Sequence, residues 1–153
     1  MEGQNRRVNA EGYVRYQSPV PDRRGRRIGI FGLVNTLGHR GLLSAAEEEF
    51  RRTTNAWYDA AYLNPSTVDP AVYDRDVNPH AAAWFKTSAV RLFEPIPQYL
   101  AILAAHNLPC ERYTSAAPGR VIYEDEDQVV VVPHHPDDPE QSTTILWLPP
   151  APK

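Results

Sequence analysis

The chain reads as an α+β protein, with about four helices in residues 28–107 packed on a small antiparallel sheet formed mainly by residues 110–148. Three observations carry that reading. Apolar side chains recur at three- and four-residue spacing through the middle of the chain, and the period switches to two near Leu108. The run Val129 to Val132 then leaves one strand without a solvent-facing position, as expected for a strand covered on both faces. With 153 residues and 42% hydrophobic content, one core can form, so a single domain over 1–153 is expected, with a flexible arm at 1–10 and a frayed end at 149–153.

Tyr13-Val14-Arg15-Tyr16 has strand composition. Ser18-Pro19-Val20-Pro21 stops it, because proline has no N–H for a ladder, and a short edge strand is predicted. Ile30, Phe31, Val34 and Leu37 share a helical face within Ile28 to Arg40, ended by Gly41. Gly29, Gly32 and Gly38 weaken that helix by up to about 1 kcal/mol each. Ser44, three residues before Glu47, makes a capping box for the next helix, with Phe50, Trp57 and Ala61 along one face and Asn64-Pro65 as its end.

Residues 64–78 carry two prolines and little periodicity, which predicts a loop of the length that shapes a site. Asn78-Pro79 then predicts a capped helix start, running through Trp84, Phe85, Ser88 and Leu92 to the break at Glu94-Pro95-Ile96-Pro97. A further helix turns Ile96, Leu100 and Leu103 inward and closes near Asn107. Residues 110–114, 120–123 and 128–132 read as strands, the last two joined as a hairpin by Glu124–Asp127. Residues 143–147 add another strand after the polar, proline-rich strip from His134 to Ser142.

Charge and composition narrow the function classes. The net charge of −3 divides into +5 over residues 1–43 and −8 over the remainder, a balance that argues against a dedicated nucleic-acid binder. No stretch of about 18 apolar residues occurs, and no apolar run follows the first basic residues. The single cysteine, Cys110, has no internal partner for a disulfide. A soluble cytoplasmic protein is therefore expected, without membrane attachment.

Arg23, Arg24, Arg26 and Arg27 form the sharpest basic feature, since guanidinium groups on a turn can grip phosphate by paired hydrogen bonds; they are candidate anion or nucleic-acid contacts. Arg75 lies between Asp74 and Asp76. His80 would sit in the first turn of the helix begun at Asn78, where unpaired N–H groups favour an anion, so Arg75 and His80 are candidate ligand clamps. Tyr58 and Trp84, from a set that includes Trp57, Tyr62 and Phe85, are candidates to line a pocket for a planar ligand. His134 to Glu140 and Glu124 to Asp127 hold metal-ligand residue types without metal-site spacing. The glycines at 25, 29 and 32 do not match a dinucleotide loop, so neither metal nor cofactor is expected.

The segments NPSTVDPAVYDRDVNP (64–79), WFK (84–86) and PGRVIYEDEDQVVVVP (118–133) resemble those of a family of small hypothetical proteins from GC-rich bacterial genomes. The resemblance spans most of the chain and brings no activity with it. The leading expectation is a non-catalytic binding or regulatory protein with a protein or anionic small-molecule partner. The alternatives are an enzyme acting on a phosphate-bearing or nucleotide-like ligand, and a nucleic-acid accessory protein. Cover for both faces of the Val129–Val132 strand also suggests a homodimer.

Overall fold

The computed structural model describes residues 12–134 and the backbone of 142–144. The expected arm at 1–10, the strip 135–141, residues 145–147 of the expected final strand and the end at 149–153 lie outside the described residues. Six strands, β1 (Tyr13–Gln17), β2 (Ala82–Lys86), β3 (Glu111–Ser115), β4 (Arg120–Glu124), β5 (Gln128–Val132) and β6 (Ser142–Thr144), form one sheet in the order β4-β5-β2-β1-β3-β6. The α-helices among the described residues are α1 (Ile30–His39), α2 (Ala45–Ala61) and α3 (Ile96–Ala105). No helix among them is long and apolar enough to cross a membrane.

The class is α+β, and the β1–β2, β2–β5 and β4–β5 pairings are antiparallel. Its parts differ from expectation in two ways. The helix predicted from Asn78 to Leu92 does not form: residues 82–86 are strand β2, followed by a short 3-10 turn at Val90–Phe93. Two local features oppose the helix. His80 adopts a left-handed backbone with φ 61°, and the Asn78 side chain turns back along the chain instead of forward to cap, its amide nitrogen donating to the carbonyls of Ala71 and Val72 at 3.0 and 3.3 Å. The pairing partner decides the rest. Trp84 lies opposite Val129 and Ala82 opposite Val131, so β2 supplies the neighbour that the all-valine strand requires.

The second difference follows from the first. β1 and β2 occupy the middle of the sheet, so β1 is an interior strand, not an edge, although four of the six strands do come from residues 110–148. The helices accordingly number three rather than four among the described residues.

The described residues fall into two compact units. The first comprises 12–15, Leu63–Val90, 113–134 and 142–144; the second comprises Tyr16–Tyr62 and Arg91–Arg112. In the first, Trp84, Tyr113, Val129 and Val131 form a buried cluster with Tyr13 packed against it. The β4–β5 hairpin carries a bulge between Val121 and Tyr123, so the outward alternation of β4 is interrupted.

In the second unit, Ser44 accepts from the Glu47 N–H at 3.1 Å while Glu47 accepts from the Ser44 N–H at 2.8 Å, the reciprocal capping box. The inner face of α2 differs from expectation by one position: Tyr58 is buried, whereas Trp57 is 40% exposed. Gly38 lets the Arg51 side chain of α2 lie against the backbone of α1, where a Cβ would collide with the guanidinium. Gly41 takes φ 69° just beyond α1, and Asn107 takes φ 59° just beyond α3, the left-handed stops that their residue types favour.

Candidate functional site

The segment from Asn64 to Asn78 belongs to the first unit and is built from a repeated turn. Asn64, Asp69 and Asp74, five residues apart, each accept from the N–H two residues on: Ser66 at 3.0 Å, Ala71 at 3.0 Å and Asp76 at 2.9 Å. Each of the same residues also gives its carbonyl to the N–H three residues on: Thr67 at 2.9 Å, Val72 at 3.0 Å and Val77 at 3.2 Å. Val72 is fully buried beneath this series, and the Asn78 amide ties its far end to Ala71 and Val72. The spacing of five is neither helical nor strand-like, so a search for those two periods passes over it. The recurrent Asx residues, two of them followed by proline, were the signal.

This platform turns large apolar side chains to solvent. Leu63 is 56% exposed, Val68 59%, Tyr73 41% and Val77 58%. Asp69, Asp74 and Asp76 are exposed beside them with Arg75, whose guanidinium has no ion-pair partner among the described residues. His80 is also exposed, at the edge of the same segment. Without the predicted helix, it is not surrounded by the N–H groups of a helix terminus.

Gln128 joins the start of the platform to the β4–β5 turn. Its amide nitrogen donates to the Leu63 carbonyl at 2.7 Å and to Asp125 at 3.2 Å, while its buried Oε1 has no partner among the described residues. Asp125 also accepts the Tyr123 hydroxyl at 2.7 Å and the N–H groups of Asp127 and Gln128 at 2.9 and 3.1 Å. Burial pushes the Asp125 carboxyl up, but these donors outweigh it and hold the group below its ordinary range. The same bond to Asp125 is the main reason the Tyr123 hydroxyl is pushed up to about 12.

The arginine cluster lies in the second unit as the tip of an ordered hairpin arm. Gln17 bridges to Gly29, the Ser18 N–H donates to the Ile28 carbonyl at 2.8 Å, and the Asp22 N–H donates to the Arg26 carbonyl at 2.8 Å. Asp22 folds the tip by accepting from the N–H groups of Arg24 and Arg26, both at 2.9 Å, and by pairing with the Arg26 guanidinium. Arg27 braces the arm through the Pro19 carbonyl. Arg23 and Arg24 remain exposed, without a side-chain partner among the described residues, and Val20 beside them is 62% exposed.

The aromatic candidates are core residues of their own units. Trp84 is 2% exposed in the first. In the second, Tyr58 is 4% exposed and donates its hydroxyl to the Leu92 carbonyl at 2.6 Å. It meets Phe31 edge-on at 4.8 Å and Trp57 at 5.1 Å. Tyr99 donates to Asn55 at 2.6 Å, and Asn55 in turn donates to Asn35 at 2.8 Å, which also accepts from Arg51 at 3.2 Å. Burial is the first cause that raises both tyrosine hydroxyls well above their usual range.

His106 lies 3.1 Å from Glu47, whose carboxyl is pushed up by burial but pulled further down by the N–H of Ser44 and by His106. These perturbed groups are thus engaged in bonds that hold the fold. Among the described residues, no set of three or more His, Cys, Asp or Glu side chains is placed to hold a metal. No family model, curated protein or solved structure matches the chain.

Proposed function

We propose that this is a non-catalytic binding protein of the cytoplasm that offers the 64–78 platform to a protein partner. The observation that carries the reading is the conjunction of exposed Val68, Tyr73 and Val77 with a backbone already pinned by three successive Asx turns. Isolated exposed valines are ordinary, but a segment held in place loses less conformational freedom when a partner covers it. The net charge of −2 over Asp69, Asp74, Arg75 and Asp76 selects a partner whose apolar contact is rimmed by Lys or Arg. Cys110, a buried thiol, fits a reducing compartment.

Site-specific photo-crosslinking tests this reading. A photoreactive residue at Val77 should capture a partner from cell extract, and the same residue at exposed Thr53 on α2 should not. Val68→Ser with Tyr73→Ser in the chain that carries the photoreactive residue at 77 should abolish capture without unfolding the chain. Equal capture from positions 77 and 53, or none from either, refutes the proposal.

A further inference from the structure

We infer that the partner of the platform includes a second copy of this chain, docked through its hairpin arm; the inference rests on the platform being a binding surface. The two features match in chemistry. The arm tip presents Arg23 and Arg24 beside exposed Val20, and the platform presents Asp69, Asp74 and Asp76 beside exposed Val68, Tyr73 and Val77. From Val20 to Arg27 the arm carries a net charge of +3, against −2 for the platform.

Both are held in shape before they meet. The arm is closed by the Gln17–Gly29 bridge and the Asp22 bonds, and the platform by its repeated turns. A polyanion is the competing occupant of the arm. Two unpaired guanidiniums would neutralise only about two phosphates, and the chain as a whole carries −3, which repels nucleic acid. A surface of opposite charge with its own apolar side chains matches Val20 as well as the arginines.

Charge exchange between copies tests this directly. Arg23→Glu with Arg24→Glu reverses the arm to a net −1, because Asp22, Arg26 and Arg27 remain. Asp69→Asn, Asp74→Asn and Asp76→Arg turn the platform to +2, while the asparagine oxygens still accept the N–H groups of Ala71 and Asp76. Sedimentation equilibrium on the full chain should show a dimer that dissociates with added salt. Each variant alone should dimerise at least about tenfold more weakly, at about 1.4 kcal/mol per tenfold. Mixing the two variants should restore association, because a reversed arm then meets a reversed platform and a native arm a native one.

Circular dichroism on each variant separates unfolding from lost contact, and recovery on mixing requires folded partners in any case. A wild-type chain that stays monomeric at low salt overturns the inference, as does a dimer that neither variant weakens. Tight binding of a duplex oligonucleotide by a monomeric wild type, lost in the arm variant, overturns it in favour of nucleic acid. If the chain is monomeric yet Val77 still captures another protein, self-association fails while the platform reading stands. If neither occurs, both fail.

Discussion

Replacing Tyr58 with phenylalanine should destabilise the protein by an amount that shrinks as pH rises. The lost hydroxyl donates to the Leu92 carbonyl at 2.6 Å from a side chain 4% exposed, so its removal leaves that carbonyl without this donor. The expected loss near neutral pH is about 1–3 kcal/mol. Burial, followed by the neighbouring Tyr99 and Tyr62 hydroxyls, raises the Tyr58 hydroxyl far above the ordinary tyrosine value of 10.0. The unfolded chain therefore releases this proton near pH 10 while the folded chain keeps it. The stability Tyr58 contributes is complete below that pH and is lost as pH rises toward the folded value.

Phenylalanine has no proton to release, so the gap between wild type and variant should narrow by about 1 kcal/mol between about pH 10 and about pH 11. Above that it should narrow by about 1.4 kcal/mol for each further unit until the folded hydroxyl ionises. Urea unfolding followed by tryptophan fluorescence, repeated across that range, measures the gap directly. Near-ultraviolet tyrosinate absorbance should show one late-ionising group fewer in the variant. A gap that stays constant with pH would refute the claim that Tyr58 keeps its proton in the folded state. A gap below about 0.5 kcal/mol at neutral pH would refute the buried hydrogen bond.

Asp125→Asn should cost about 1–2 kcal/mol at neutral pH, because its amide nitrogen would face the donors of Tyr123 and Gln128. Since the Asp125 carboxyl is lowered, its contribution is present above the ordinary aspartate value and lost as pH falls through the lower folded one. The difference from wild type should therefore fade as pH falls below the ordinary aspartate value and through the lower folded one; a difference undiminished in strong acid counts against the bonded carboxylate. Asn78→Ala removes two hydrogen bonds that tie down the platform. It should cost about 1–2 kcal/mol and speed amide exchange in residues 71–77, and unchanged exchange would contradict that anchoring role. Gly38→Ala should destabilise in spite of alanine's better helix propensity, because Arg51 must leave its bonds to Glu48 and Asn35 to admit the new Cβ. Adding Arg51→Ala should recover most of the loss, and additive losses in the double-mutant cycle would show that the contact does not matter.

What could be read from the sequence is what depends on neighbours along the chain. The Ser44–Glu47 box, the stops at Gly41 and Asn107 and the 120–132 hairpin each need only a few adjacent residues, and each forms as read. The stretch from Asn78 to Leu92 failed because its conformation is decided across the chain. Asn-Pro followed by alanines favours a helix locally, but the valine strand needs a partner, and Ala82 to Lys86 supply it. That misreading moved His80 onto a helix terminus and made β1 an edge.

The platform shows a different limit. Val68, Val72 and Val77 are the same residue type in one short segment, yet Val72 is buried and the other two face solvent. A spacing of four followed by one of five holds to no single regular period, so hydrophobic periodicity assigns none of them a side. Place within a turn does not assign it either. Val72 and Val77 each stand three residues after an aspartate whose carbonyl takes their N–H, and yet the first is buried and the second exposed. The Asx turns therefore fix the path of the backbone, while the covered valine is chosen by contacts the local sequence does not carry: the Asn78 amide reaches back six and seven residues to the carbonyls of Val72 and Ala71, and Val77, with the same turn behind it, is left to solvent.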